Sequence, residues 1–188
     1  MVDAERYAAG DLAGFLEHLR VDDSRSPVVW VTVADEALAE VAVRVGESAA
    51  QGTLLVHTCG SRGLEVFGTA ETPVAVAHPL WAISRPERAV DGLGRATWSI
   101  EGSEEASEWL RHFLGELGAR VVELTSVDRG LYHAAAVTAA NLCVGALEAG
   151  VEMAQMVGFE REEAVSALWS LAMSALENVK DGLDAEGL

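Results

Sequence analysis

The chain has 188 residues and a formal net charge of −17, from 30 acidic and 13 basic residues. Half of the residues are hydrophobic, which is enough to bury the core of one domain, or of one domain with a helical appendage. Nucleic acids and anionic membrane surfaces are bound by clustered Lys and Arg, so the charge argues against both as partners. The N-terminus has no apolar signal core and no apolar run approaches the roughly 20 residues that span a bilayer, so we expect a cytoplasmic protein.

Apolar strands alternate with helices from residue 28 to residue 126. The polar segment 1–27 before them contains one short predicted helix, in ERYAAGDLAGFLEHLR. The predicted strands are PVVWVTV, TLLVHT, PVAVAHPL, ATWSIEG and ARVVELT, and the main predicted helices are ADEALAEVAVRVGESA and SEEASEWLRHFLGELG. This alternation is typical of parallel βαβ units.

Only helices are predicted in residues 127–188. LYHAAAVTAANLCVGALEAGVEMAQMVG is predicted either as one long helix, buried in its first part, or as a kinked pair broken near Gly150. REEAVSALWSLAMSALENVKDGL is predicted as a second, amphipathic helix. Because both helices are apolar and long for a free surface, we expect a homodimer built largely on this segment.

Three loops that follow successive predicted strands carry polar residues. Asp35 follows the first strand, His57-Thr58-Cys59-Gly60 the second and His78-Pro79-Leu80 the third. In open parallel sheets, ligands bind outside the carboxyl ends of the strands, so we expect these loops to share a site. His133 and Asn141 lie two turns apart on one face of the long helix, which could close over that edge. The alternative is that both are hydrogen-bonded core residues.

His57, His78 and His133 are the candidate acid and base groups, because imidazole exchanges a proton near neutral pH. Their spacing matches no zinc motif, so no metal site is predicted. Cys59 and Cys143 form no CxxC pair and are interpreted as reduced, mostly buried thiols.

Four sequence segments carry a resemblance to a known family: HTCG, AHPL, LYHAAAVTAAN and VTVADEALAEVA. Over about residues 28–180 the chain resembles a bacterial family of uncharacterised Rossmann-like oxidoreductases. Those proteins are relatives of pyrroline-5-carboxylate reductase, ketopantoate reductase and 6-phosphogluconate dehydrogenase. The family's Val-Pro-Asp loop corresponds to Val33-Ala34-Asp35, and its His-x-Ser-Gly loop to the segment His57–Gly60. Its Tyr-His helix corresponds to Tyr132-His133 with Asn141. The chain departs from the pattern at Ala34 and Cys59, and Val137 stands where related dehydrogenases have a lysine.

The resemblance also implies a GxGxxG turn that would hold the cofactor pyrophosphate, and nothing before Val28 supplies one. The predicted fold is therefore a truncated Rossmann-like parallel sheet of about four or five strands, followed by an all-helical C-terminal segment. No nicotinamide cofactor is predicted, with NADPH as the alternative.

The resulting first hypothesis is a small-molecule enzyme that needs no nicotinamide and catalyses proton transfer, as an isomerase, lyase or cyclase. A second is an NAD(P)H-dependent reductase of a small carbonyl or imine, with a partner subunit supplying the missing half or with the cofactor held unusually. A third is a non-catalytic binding protein. The candidate catalytic residues are His133, His78, His57 and Asn141, and the candidate substrate contacts are Tyr132, Trp81, Cys59 and Asp35.

Overall fold

Five strands in the order β1-β2-β3-β4-β5 form one sheet in the computed structural model, which describes residues 27–83, 92–125 and 127–182. They are β1 (Val28–Val31), β2 (Leu54–His57), β3 (Val74–Leu80), β4 (Thr97–Gly102) and β5 (Arg120–Glu123). The predicted architecture, a mostly parallel sheet followed by helices, is confirmed. The helix predicted in the first 27 residues lies outside the described part of the chain.

One neighbouring pair of strands departs from the parallel prediction. β1 and β2, β2 and β3, and β4 and β5 pair in parallel, but β3 and β4 pair antiparallel. A parallel pair needs a crossover connection, usually a helix, whereas an antiparallel pair does not. The sequence between β3 and β4 contains Pro86, Gly92 and Gly94, residues that favour turns.

Helices cover both faces of the sheet. On one face, α1 (Asp35–Ser48) and a 3₁₀ turn (Leu64–Phe67) pack over β1 and β2 around Val31, Leu38 and Leu55. On the other face, α2 (Glu104–Glu116) packs over Ala75, Ala77 and Ile100. Ser103 caps α2 by accepting a hydrogen bond from the N–H group of Ala106 at 3.4 Å.

The pleat of β3 and β4 places their polar residues on a single face. Because side chains alternate along a strand, Ala75 and Ala77 face α2 and His78 points to the opposite side. In the antiparallel register, His78 pairs with Ser99. Glu101, two residues after Ser99, lies on the same face.

The chain continues as α3 (Arg129–Val137), a π-helical segment (Thr138–Leu142), α4 (Cys143–Met156) and α5 (Arg161–Lys180). The long helix thus runs without a break from Arg129 to Met156. Its one irregularity among these residues is the π-helical turn, and the predicted alternative of a break near Gly150 is not observed. The described residues up to His133 belong to one compact unit, and those from Ala134 onward belong to a second. Within the second unit, Arg161 pairs with Glu148 at 2.7 Å.

The helix from Arg129 to Met156 is far more exposed than predicted. Only 6% of its most apolar 18-residue stretch is buried, and Met156 is 84% exposed. With 28 residues and a mean hydropathy of 1.5, it is long and apolar enough to cross a membrane, which corrects the expectation that no segment reaches that length. The core helices of other proteins meet the same criterion, so length and composition alone do not place this helix in a bilayer.

Candidate functional site

Three side chains from three different elements form a continuous hydrogen-bonded chain. The hydroxyl of Tyr132 lies 2.8 Å from Nδ1 of His78 and 2.7 Å from Oγ of Ser99. The rings of His78 and Tyr132 meet edge to face, with centroids 5.6 Å apart. We call Ser99, Tyr132 and His78 the relay, because protons can pass along it.

Local sequence explains how the relay is assembled. His78 lies near the carboxyl end of β3, and the antiparallel register puts Ser99 beside it. Asp128 accepts a hydrogen bond from the N–H group of Leu131 at 3.0 Å, an N-terminal cap that starts α3. The cap leaves Tyr132 in the first turn of the helix, where its hydroxyl reaches the sheet.

The relay imidazole is held in its neutral form. Burial lowers the pKa of His78 below its ordinary value, and the charges of His133 and Arg129 lower it further. The carboxylate of Asp35 acts in the opposite direction. His78 is therefore a group that gives up a proton readily at neutral pH.

A buried ion pair holds the start of α3 against β4. Nε of Arg129 donates to Oε2 of Glu101 at 2.8 Å, and Nη2 donates to the same oxygen. The guanidinium also lies over the ring of Tyr132, with Cζ 5.5 Å from the centroid. Removing one partner of such a buried pair costs about 3–5 kcal/mol, so the pair fixes the helix that carries Tyr132.

The first two turns of α3 also contain two nitrogen atoms without partners among the described residues. Nη1 of Arg129 and Nδ1 of His133 are shut off from solvent and make no hydrogen bond with any described residue. An unsatisfied buried polar group costs about 1–3 kcal/mol, and more when it is charged. Such atoms mark a place where a ligand or water would be stabilising.

His57 is fully buried, and both nitrogens of its ring are engaged. Nε2 donates to the carbonyl oxygen of Gly63 at 3.1 Å, and Nδ1 accepts from the N–H group of Cys59 at 3.2 Å. Burial lowers the pKa of His57, although the hydrogen bond to Gly63 opposes this shift. The neutral imidazole thus shapes the loop that follows β2.

That loop lies directly against His78. A Cβ atom added to Gly60 would lie 2.8 Å from Nε2 of His78, closer than real side chains approach. The absence of a side chain at residue 60 therefore lets the loop after β2 meet the histidine of β3. This approach agrees with the expectation that the loops after these strands share one edge of the sheet.

Asp35 and Cys59 lie at the same edge with different exposures. Asp35 is exposed in the first turn of α1, and its carboxylate partly opposes the lowering of the pKa of both His57 and His78. Cys59 is buried, as predicted, with Sγ 3.2 Å from Oγ of Ser61. The same prediction is wrong for Cys143, which is exposed because it belongs to the exposed helix.

Two other predicted residues are not joined to the relay by any hydrogen bond among the described residues. Trp81 is 44% exposed, and its indole edge lies against Gly92, where an added Cβ would come within 2.3 Å of Nε1. Asn141 is exposed within the π-helical segment of the second unit, whereas His133 belongs to the first unit. Their roles as substrate contact and catalytic group remain predictions.

The sequence pattern did not single out Ser99, Glu101 or Arg129 as site residues. Ser99 and Glu101 are the alternating polar positions of the otherwise apolar strand TWSIEG, which is the pattern that could have revealed them. Arg129 is a basic residue that precedes the Tyr-His pair by one helical turn. Among residues 27–83, 92–125 and 127–182, no group of His, Cys, Asp and Glu is arranged to hold a metal ion.

Solved structures with the same fold are Rossmann-like proteins. The chain is 22% identical to a protein from Thermotoga maritima, with a TM-score of 0.66 over 85% of this chain and 61% of that one. It is 14% identical to 1-pyrroline-5-carboxylate reductase from Streptococcus pyogenes, with a TM-score of 0.65 over 97% and 70% of the two chains. It is 13% identical to pyrroline carboxylate reductase from Plasmodium falciparum with NADP bound, with a TM-score of 0.61 over 92% and 75%.

Comparisons of the sequence alone identify fewer relatives than comparisons of the structure. No curated protein matches the chain. The chain spans about three fifths of the length of the Thermotoga protein. The resemblance to relatives of pyrroline-5-carboxylate reductase is confirmed at the level of the fold.

These neighbours correct the first functional hypothesis. The predicted cofactor-free isomerase, lyase or cyclase is wrong, because the enzymes that share the fold are reductases and one of them holds NADP. The prediction of no nicotinamide cofactor is wrong for the same reason, because it rested on the GxGxxG turn and not on the fold. The chain has a Rossmann-like fold in common with nicotinamide-dependent reductases, and its residues 96–188 match the family described as Domain of unknown function (DUF2520).

Proposed function

We propose that this chain acts in the NAD(P)H-dependent reduction of a C=O or C=N bond in a small molecule. The observation that carries the proposal is the relay, which holds a proton donor near the carboxyl edge of a Rossmann-like sheet. Ligands of open α/β sheets bind at that edge. The reductases of similar fold support the same class of reaction.

The described residues suit the reacting end of a cofactor and substrate better than the phosphates of a cofactor. The first turn of α1 carries Asp35 and Glu36 and has no side-chain cap. Acidic side chains at a helix N-terminus disfavour a bound phosphate. Near His78, by contrast, the relay and the unpartnered nitrogens of Arg129 and His133 offer polar groups to a ligand. These residues fit the place where hydride and proton are delivered.

A dihydronicotinamide bound at this edge would supply the hydride for the carbon of the C=O or C=N bond. The heteroatom of that bond takes a proton from the hydroxyl of Tyr132. A proton from solvent reaches Nε2 of His78 as its Nδ1–H passes to Tyr132 across 2.8 Å, so His78 is neutral before and after the step. Ser99 holds the hydroxyl oxygen from its other side, so Tyr132 keeps one orientation throughout.

The remaining candidates receive narrower roles in this proposal. His57 is a positioning residue for the loop after β2, because both of its nitrogens are engaged. His133 acts beside His78 through its charge. Trp81, Cys59 and Asp35 are proposed only as groups that contact or orient the substrate. Asn141 belongs to the second unit, and no role beside the relay is proposed for it.

The test begins with calorimetric titration of the full chain with NADPH and NADH. It continues with NADPH oxidation in the presence of cyclic imines, 2-oxo acids and aldehydes. We expect micromolar cofactor binding and turnover of one substrate class, with turnover lost in Tyr132→Phe. Absence of binding at millimolar cofactor would overturn the proposal.

We also propose that the chain forms a homodimer in the cytoplasm through its second unit. Side chains exposed there include Val144, Met153, Trp169 and Leu171. An apolar groove of about 380 Å³ between α4 and α5 is lined by Leu147, Gly150 and Leu168, among others. Each copy thus carries both a groove and protruding apolar side chains. In a two-fold dimer, the apolar side chains of each copy would pack into the groove of the other.

A further inference from the structure

Arg129 is engaged on one side only. The residue is 8% exposed, and both of its hydrogen bonds go to a single oxygen, Oε2 of Glu101. Nη1, which carries two of the five guanidinium protons, has no acceptor among the described residues. The guanidinium therefore keeps a donor edge that the protein itself does not use.

His133 adds a second unused nitrogen on the same side of α3. It follows Arg129 by four residues, so the two side chains lie on one face of this α-helix. Its Nδ1 is also shut off from solvent and lacks a partner. Tyr132 lies between them in sequence, with its ring under the guanidinium and its hydroxyl in the relay.

From these observations we propose that Arg129 and His133 form a binding site for a carboxylate group, next to the relay. A carboxylate has two acceptor oxygens, one for Nη1 of Arg129 and one for Nδ1 of His133 in its protonated or Nδ1–H form. Glu101 already neutralises the charge of Arg129. The site therefore recognises a carboxylate mainly through the hydrogen-bond donors that Arg129 and His133 do not use within the protein. The inference rests on the proposed function only in identifying this carboxylate as part of the reduced substrate.

The test measures the binding of acetate, with acetamide as its neutral counterpart, in the absence of any cofactor. Nuclear magnetic resonance follows the Nε–H signal of Arg129 and the ring signals of His133 and His78 during each titration. We expect saturable shifts with acetate, and binding at least about tenfold weaker with acetamide. Equal shifts with the two compounds, or no saturable shift with acetate, would overturn the proposal.

Variants separate the site from the ion pair that supports it. Arg129→Lys keeps a cation for Glu101 but lacks the second terminal nitrogen, so it should fold and lose acetate affinity by about tenfold or more. Arg111→Lys is the matched control, because Arg111 pairs with Glu123 on an exposed surface. If Arg129→Lys proves unfolded, His133→Phe tests the same site, because it removes only the second donor and should also lower the affinity for acetate. Unchanged acetate affinity in a folded variant of either residue would contradict the assignment.

The two proposals fail in different ways. Saturable acetate binding without any NADPH binding would leave the carboxylate site standing and remove the reductase. Reduction of a substrate by NADPH, together with no saturable binding of acetate, would leave the reductase standing and remove the carboxylate site.

Discussion

The hydroxyl of Tyr132 lies 2.8 Å from Nδ1 of His78, although 54 residues separate them in the chain. The contact exists because the Arg129–Glu101 pair holds the first turn of α3 against β4. A helix and a sheet thereby contribute to one hydrogen-bonded group.

Tyr132→Phe removes the hydroxyl that links His78 to Ser99 and leaves the ring in place. We expect turnover of the substrate identified with NADPH to fall by about 100-fold or more, the usual contribution of a positioned general acid. Tyr7→Phe, at the chain's other tyrosine, is the matched control. Full activity in folded Tyr132→Phe would show that the relay does not deliver the proton.

Gly60→Ala tests the close approach of the loop after β2 to the relay. The new methyl group would lie 2.8 Å from Nε2 of His78, so the ring must shift and its bond to Tyr132 must weaken. We expect altered ring resonances of His78 and reduced turnover. Gly145→Ala in α4 meets nothing within 4 Å and should leave His78 unchanged, while stabilising its helix by up to about 1 kcal/mol. Identical His78 spectra in both variants would refute the predicted contact.

The pH dependence of stability follows from His57 and His78, whose pKa values are lowered by burial. Below about pH 6.5 these histidines are protonated in the unfolded chain but remain neutral in the folded chain. The free energy of unfolding therefore falls as the pH drops toward the lowered pKa values of His57 and His78 in the folded chain. Urea unfolding between about pH 7.5 and pH 5 measures this slope. His57→Gln, which retains a donor and an acceptor but does not titrate, should flatten it. His112→Gln, on the exposed surface of α2, should not, and equal slopes in the two variants would contradict the prediction.

Trp169→Glu tests the proposed dimer. Trp169 is 57% exposed on α5, and a charge there would be buried on association, at a cost that favours monomers. Sedimentation at micromolar concentration should show a dimer for the natural chain and a monomer for this variant, with Trp169→Phe remaining dimeric. A monodisperse monomer of the natural chain would end the proposal.

Local pattern was sufficient for the elements and for part of the site. Runs such as TLLVH and VAVAHPL, bounded by turn residues, predicted buried strands, and the apolar period of α1 and α2 predicted helices. The placement of His57 and His78 at the carboxyl edge followed from the alternation of strands with helices, because parallel strands end on a common side. The family resemblance pointed to Tyr132.

Contacts between distant parts of the chain were needed for the rest. The antiparallel register of β3 and β4 puts Ser99 beside His78, and strand direction depends on pairing that no short segment encodes. The Arg129–Glu101 pair joins two residues on different elements, so neither stood out in the sequence. His57 was predicted as an acid or base group, but both of its ring nitrogens are hydrogen-bonded to the backbone of Cys59 and Gly63. Only the folded structure shows these bonds. Periodicity reports which residues are buried, whereas hydrogen-bond partners are determined when separate elements pack, which is why the relay appeared only in three dimensions.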